Sequence, residues 1–312
     1  MATLSHDPLW PRAGAWPALA ELAAGASVDL AILGVPAWRT SLSPTNAHAT
    51  PAAIRAALQR YSPALMPDRT GGAGGEGESH DLGELWFADA GDVDEPDGPE
   101  GEARTAAAAA GALDRSSALI ALGGDNSVTV ATALGAWGDD LSGAGLVTID
   151  AHYDLRNGVS TGSPVRRLVE AGLDGRRIVQ IGIADFANSA AYARRAAELG
   201  ITVIHRDELH GRRPAEVMAE ALEIAGSAGG PVHLDVDVDA CDRSVAPACP
   251  ASVPGGLAAW ELRALVRAAG ADPRVRSADL VEIDATTDAP DGRTVRLAAL
   301  CVLELAAGLA LR

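Results

Sequence analysis

The sequence predicts a doubly wound α/β fold, a parallel sheet with helices on both faces. Three observations carry that expectation. Short β-rich runs recur along the chain, with helical patterns between them. The runs are nearly continuous in apolar residues, as parallel strands buried on both faces require. Clusters of acidic and polar residues directly follow three of the runs, where an open α/β sheet forms its ligand crevice.

Taken in order, Val28–Leu33 is the first expected strand and Thr50–Arg60 the first helix. A helix at Glu102–Leu113 leads into a strand at Ala118–Leu122 and a helix at Ser127–Trp137. Strand Gly145–Ile149, helix Ser163–Ala171, strand Ile178–Ile183 and helix Asn188–Leu199 continue the alternation. Strand Ile201–Ile204, helix Pro214–Ala225, strand Val232–Val236, helix Leu257–Ala269, strand Asp279–Ile283 and a last helix at Thr294–Ala310 complete it. The Gly-rich stretch Gly71–Glu78 and the acidic stretch Asp89–Glu102 read as surface loops. Neither shifts the composition enough to divide the chain, so one domain over 1–312 is expected, without internal repeats.

Composition narrows the chemistry. The 312 residues are 48% hydrophobic, enough for a full core. Asp and Glu number 42 against 25 basic residues, a net charge of −17, and every basic residue is arginine. Without lysine, pyridoxal-phosphate and Schiff-base enzymes are excluded, as are P-loop NTPases and protein kinases. The acidic balance argues against nucleic acid or an anionic membrane as partner. The apolar stretches 116–138 and 297–311 are broken by Asp125 and Glu304 and read as core, not membrane spans. The first residues show no signal-peptide pattern. Three cysteines are too few for a disulfide scaffold, so a soluble cytoplasmic protein is expected. Cys241, close to the acidic segments, reads as a free structural thiol, with redox control of metal binding as the sharper alternative.

The three post-strand clusters are Gly123-Gly124-Asp125-Asn126-Ser127, Asp150-Ala151-His152-Tyr153-Asp154 and Asp235-Val236-Asp237-Val238-Asp239. In extended backbone, residues i, i+2 and i+4 share a face. Asp150, His152 and Asp154 would then point one way, and Asp237 and Asp239 likewise. Converging carboxylates repel and pay desolvation, and no lysine exists to pair with them. One or two divalent cations resolve this, and an oxygen-rich set with one or two nitrogens suits Mn²⁺. A lone Asp-x-Asp is an ordinary solvated turn and a lone His is usually structural. Both motifs at strand ends of one sheet outweigh that blander reading.

These residues resemble the ureohydrolase family, which includes arginase, agmatinase and formimidoylglutamase. The resemblance runs from Gly34-Val35-Pro36 to the last helix, through Thr50-Pro51-Ala52-Ala53-Ile54-Arg55, Gly91-Asp92-Val93 and the Asp150–Asp154 segment. Its most specific part is Asp237-Val238-Asp239-Ala240-Cys241-Asp242, then Ala246-Pro247 and Pro254-Gly255-Gly256. It implies an arginase-like three-layer αβα sandwich with a mostly parallel eight-stranded sheet, and a binuclear Mn²⁺ site, two ions per subunit. Carried over by position, Asp150 and Asp237 would bridge the metals. His152 and Asp239 would complete one, and Asp154 and Asn126 the other. Glu282 would bind the amidine or guanidine nitrogen of the substrate. An assembly of several identical subunits is also implied.

Two positions depart from the common pattern. Asn126 stands where most members have a histidine ligand, so one metal should bind weakly or be lost; an Asn there is similar to some formimidoylglutamases. Thr161 stands where arginases have a proton-relaying histidine. The Asp154–Gly158 and Thr161–Arg166 loop resembles the formimidoylglutamase subgroup, as do Ile178–Ile183 with Phe186–Ser189 and Asp291–Leu297. Arg156 and Arg166, with Asn157 and Thr161, are then the candidates to bind a dicarboxylate, since arginine forks grip carboxylates bidentately; Arg167 reads as a solvated helix face. The implied reaction is manganese-assisted hydrolysis of N-formimidoyl-L-glutamate to L-glutamate and formamide, as in histidine degradation. Asp154 would serve in proton transfer. Hydrolysis of another guanidino compound (a guanidino acid, agmatine or arginine) is the alternative, and a metal-poor, non-catalytic relative is the second.

Overall fold

Eight strands, all parallel to their neighbours, form one sheet in a computed structural model that describes residues 7–65 and 80–312. The first strand is β1 (Val28–Val35); β2 (Ala64–Leu65) and β3 (His80–Asp81) make a separate antiparallel pair. Then come β4 (Phe87–Asp92), β5 (Ser116–Gly123), β6 (Gly145–Ile149), β7 (Ile178–Ile183), β8 (Thr202–His205), β9 (Val232–Asp237) and β10 (Val275–Val281). Across the sheet they run β4-β1-β5-β10-β9-β6-β7-β8. The last two strands in the chain therefore fill the gap between β5 and β6. The three clusters singled out in the sequence, and Glu282, leave the carboxyl ends of the adjacent central strands β5, β10, β9 and β6.

Helices α1 (Thr50–Leu58), α6 (Pro214–Ala225), α7 (Ala259–Gly270) and α8 (Arg293–Leu309) cover one face. Under them the strands point mostly apolar side chains, among them Ile32, Leu122, Ile149, Ile181, Leu234 and Leu280. Helices α2 (Gly98–Leu113), α3 (Val128–Trp137), α4 (Pro164–Glu170) and α5 (Ala190–Leu199) lie on the other face. There the central strands are polar. Thr148, Asp235 and Asp279 stand in one cross-strand row, and His233 and Ser277 in the row below, all at most 1% exposed. His233 bridges Ser277 (2.7 Å, through Nδ1) and Asp279 (3.0 Å, through Nε2), and Trp137 of α3 packs edge-on against its ring. His233 is satisfied in this way, as a buried polar group needs, whereas among the described residues Thr148 Oγ1, both Asp235 oxygens and Asp279 Oδ1 find no hydrogen-bond partner.

The doubly wound class and the three-layer arrangement agree with the sequence reading. Several details differ. The expected Gly71–Glu78 loop lies outside the described residues. The acidic stretch Asp89–Glu102 is not all loop: it contains most of edge strand β4 and the start of α2 at Gly98. β4 is short of apolar residues, but pairing with β1 supplies its backbone bonds, and Arg55 from α1 ties down Asp89 (2.7 Å) and Asp92 (2.5 Å). β10 begins at Val275 and ends at Val281, so Glu282 stands just beyond the strand. Arg167, read as solvated, pairs with Glu102 of α2 (2.6 Å). Among the described residues no helix is long and apolar enough to cross a membrane.

Candidate metal centre

The close approach of β5 to the end of β1 starts the site. A Cβ on Gly124 would lie 1.7 Å from the Ala37 carbonyl oxygen, so only glycine fits there. Beyond it Asp125, 1% exposed, accepts hydrogen bonds from the Thr40 amide (3.1 Å) and hydroxyl (3.0 Å) and from Ser127. This pins the segment around Ser41–Ser43 as one wall of a cavity of about 340 Å³. The sequence marks Asp125 as a member of the first post-strand cluster and as a break in an apolar run, without assigning it this anchoring role.

The carboxylates converge, although by turns and not by the extended backbone the sequence reading assumed. The His152 amide donates to Asp150 Oδ1 (2.7 Å), closing a turn directly after β6. The Asp239 amide donates to Asp237 Oδ1 (2.9 Å) in a 3₁₀ turn over Val238–Ala240. Asp154 takes a left-handed φ of 53°, a conformation that costs roughly 1–3 kcal/mol for a non-glycine residue. Two groups result, Asp150–His152–Asp239 and Asp150–Asp154–Asp237, each with ligand atoms within 4.8 Å of one another. Asp150 belongs to both. Asp237, expected to share the bridging role, falls in one.

Among the described residues Asp150 Oδ2 and Asp239 Oδ1 are buried without a hydrogen-bond partner. Orphaned carboxylate oxygens on two members of one such group are an arrangement a divalent cation satisfies. His152 Nδ1 lies 3.1 Å from Asp239 and 3.4 Å from Asp150. Burial would depress this imidazole, but Asp239 and Asp150 outweigh it and push it up to about 12. Burial, reinforced by neighbouring carboxylates, holds Asp154 and Asp237 well above the ordinary carboxylate range and lifts Asp150 to about 6. Below the centre, burial and the facing Asp279 push Asp235 up in the same direction.

Asn126 is in the site, but its amide nitrogen faces the carboxylates. Nδ2 donates to Asp154 (2.6 Å) and Asp237 (3.2 Å), while Oδ1 accepts from the Thr129 hydroxyl (2.6 Å). Next to anionic oxygens an NH₂ group is the favourable end. A hydroxyl can donate or accept, so Thr129 is satisfied with either amide orientation, and a flip would turn Oδ1 toward a cation.

The remaining candidates divide. Glu282, with a left-handed φ of 63°, lines the cavity and accepts from the Asn126 amide (2.9 Å) and the Thr161 hydroxyl. Burial lifts it to about 8. Arg156 and Thr161 also line the cavity. Arg166, expected at the substrate, is not brought there: it donates to the carbonyls of Arg156 (2.5 Å) and Gly158 and pairs with Glu170, bracing the loop from outside. Asn157 is likewise turned away, its Oδ1 accepting from Arg195 (2.9 Å). The sequence reading missed Phe186 and Tyr192 on the cavity wall; Phe186 is fully exposed at a φ of 64°. Cys241 is buried and free, and burial pushes its thiol up, away from reactivity.

Comparison with known proteins agrees with this geometry. The sequence profile of the arginase family matches residues 28–308. A formimidoylglutamase of Bacillus subtilis is 31% identical over 295 residues, 90% of this chain and 87% of the relative. One of Halalkalibacterium halodurans is 30% identical over 286 residues, 89% and 86% of the two chains. The crystal structure of formimidoylglutamase from Bacillus subtilis superposes with a TM-score of 0.86 at 27% identity, covering 99% of this chain and 95% of that chain.

Two outcomes are expected. Carboxyls whose folded pKa is raised favour the native state while protonated. That stability is full below the unfolded value of about 4 and drains away as pH rises through about 6 for Asp150 and about 8 for Glu282. The metal-free protein should therefore lose thermal stability between pH 5 and pH 8, and saturating Mn²⁺ should remove most of that loss; melting curves with chelator and with metal compare the two. Asn126→His should raise manganese content under limiting Mn²⁺, read by elemental analysis. Equal content in both proteins would remove Asn126 as the weak point of the site.

Proposed function

The chain belongs to the arginase family, and on that premise we propose that it hydrolyses N-formimidoyl-L-glutamate to L-glutamate and formamide, with manganese held by the carboxylate and imidazole cluster. The observation that carries this reading is the charge layout of the cavity. The carboxyl groups of Asp154, Asp237 and Asp239 line it beside His152, Glu282 lines it outside the two ligand groups, and Arg156 lines it as well. Among the described residues the Arg156 guanidinium makes no hydrogen bond or ion pair, so it is free for a ligand. A substrate with a cationic amidine at one end and carboxylates at the other matches this polarity. Agmatine, with no carboxylate, would meet Arg156 with its second cation.

Asp150, His152 and Asp239 would hold one ion, and Asp150, Asp154 and Asp237 a second, with Asn126 beside it. Bound there, the ions would supply a water of lowered pKa and neutralise the clustered charge. Water adds to the formimidoyl carbon, and the bond from that carbon to the glutamate nitrogen breaks. Asp154, in the cavity and raised by burial, takes the proton of the water and returns it to the departing amine. The carbon leaves as formamide. Glu282 receives the amidine N–H groups, and Arg156 pairs with a substrate carboxylate. This reaction would serve histidine degradation in the cytoplasm, with subunits associated as homo-oligomers.

The direct test is glutamate release from N-formimidoyl-L-glutamate by the manganese-loaded protein. Turnover of guanidinobutyrate, arginine or agmatine with none of formimidoylglutamate would overturn the reading. Arg156→Leu should raise KM about tenfold to a hundredfold and leave kcat within about threefold, since a charge-assisted bond to carboxylate is lost in ground state and transition state alike.

A further inference from the structure

We propose that Thr161 is the positioning residue for Glu282: its hydroxyl locks one carboxylate oxygen of Glu282 so that the other is presented to the amidinium end of the substrate. The inference rests on the reading above in assigning the amidinium to Glu282. It departs from the expectation that Thr161 itself touches substrate.

Three contacts fix the glutamate. Its amide donates to the Gly124 carbonyl (2.9 Å), which anchors the backbone just past β10. Its Oε1 accepts from the Asn126 amide (2.9 Å) and from the Thr161 hydroxyl. Among the described residues Oε2 accepts no hydrogen bond, and the side chain lines the cavity. Both donors therefore converge on one oxygen and leave the second open. The backbone at Glu282 is left-handed, with a φ of 63°. A strained residue persists only where its surroundings over-determine it, and the side-chain clamp supplies that determination.

The direction of the Thr161 proton follows from the same contacts. Thr161 Oγ1 accepts from the Asn126 amide (3.0 Å), so that N–H is shared between Thr161 and Glu282. With an acceptor site filled, the single hydroxyl proton is free for Oε1. The Thr161 amide donates to the Thr40 carbonyl (3.0 Å), tying the same residue to the cavity wall that Asp125 holds. Branching at Cβ restricts the χ1 rotamers, which narrows where the hydroxyl can point. A threonine hydroxyl does not titrate near neutral pH. Its part here is to hold the glutamate by a hydrogen bond.

The test compares Thr161→Val and Thr161→Ser with the parent, all loaded with manganese. Acetamidinium is the probe for the amidine subsite, by calorimetry, and L-glutamate is the probe for the carboxylate end. Thr161→Val should weaken acetamidinium about tenfold, the scale of one charge-assisted hydrogen bond. L-Glutamate binding should stay within about twofold, manganese content should be unchanged, and Thr161→Ser should recover most of the loss. Equal acetamidinium affinity in parent and Thr161→Val overturns the proposal. So does parallel weakening of both probes, or equal loss in the serine variant, since either would mean general packing. If Thr161→Val does not fold, Thr161→Ala is judged by the same criteria. Absence of formimidoylglutamate turnover in the parent sinks the functional reading alone, because acetamidinium binding is measured without turnover.

Discussion

Four carboxylates share a space at the rim of the sheet with no arginine among them. Asp150, Asp154, Asp237 and Asp239 are each at most 7% exposed, and among the described residues His152 is the cationic side chain that pairs with them, through Asp150 and Asp239. Much of the architecture can be read as the means of holding that repulsion in place. It is reached only because β5, β10, β9 and β6 lie side by side and point their carboxyl ends the same way. Gly124 lets two strand ends touch. Asp154 and Glu282 accept left-handed backbone, and short turns aim the oxygens inward. A cation converts this cost into binding free energy, and protonation partly relieves it otherwise.

The asymmetry of the two faces belongs to the same logic. Beneath α1, α6, α7 and α8 the core is apolar, and packing there stabilises the sheet without regard to chemistry. Beneath α3 the rows Thr148–Asp235–Asp279 and His233–Ser277 continue downward from Asp150 and Asp237. The two bonds of His233, to Ser277 and Asp279, are directional and strong in so dry a setting. They fix β9 against β10, the strands that carry Asp237 and precede Glu282, more sharply than leucine and valine would.

What could be read in the sequence was whatever depends on pattern. The apolar runs located seven of the eight sheet strands, and Asp-Ala-His-Tyr-Asp with Asp-Val-Asp located the cluster. β4 escaped because its stability comes from β1 and from Arg55, residues far away in the chain. Arg166 and Asn157 were drawn toward the substrate by their nearness to the motif along the chain. In space Arg166 is captured by loop carbonyls and Asn157 by Arg195, partners that sequence order does not reveal. Val232–Asp237 alternates apolar and polar residues, so the buried polar rows had a trace in the sequence. Their partner, Ser277 with Asp279, lay at a strand whose start was placed four residues late. The direction of the Asn126 amide is set by Thr129 and by charge, and no motif encodes it.

The strand order also dictates a history for each molecule. Domains emerge from synthesis amino end first, and when β8 is complete the chain holds β5 and β6 with a gap two strands wide between them. Asn126 and the Asp150–Asp154 turn then face no partner, and Asp237 does not yet exist. The centre closes only when β9 and β10 fill that gap, pairings that span much of the chain and are slow for that reason. A metal recruited so late contributes little to the folding nucleus. The stabilisation from a bound ion would then fall on the unfolding step, as a latch that prolongs the lifetime of the finished fold.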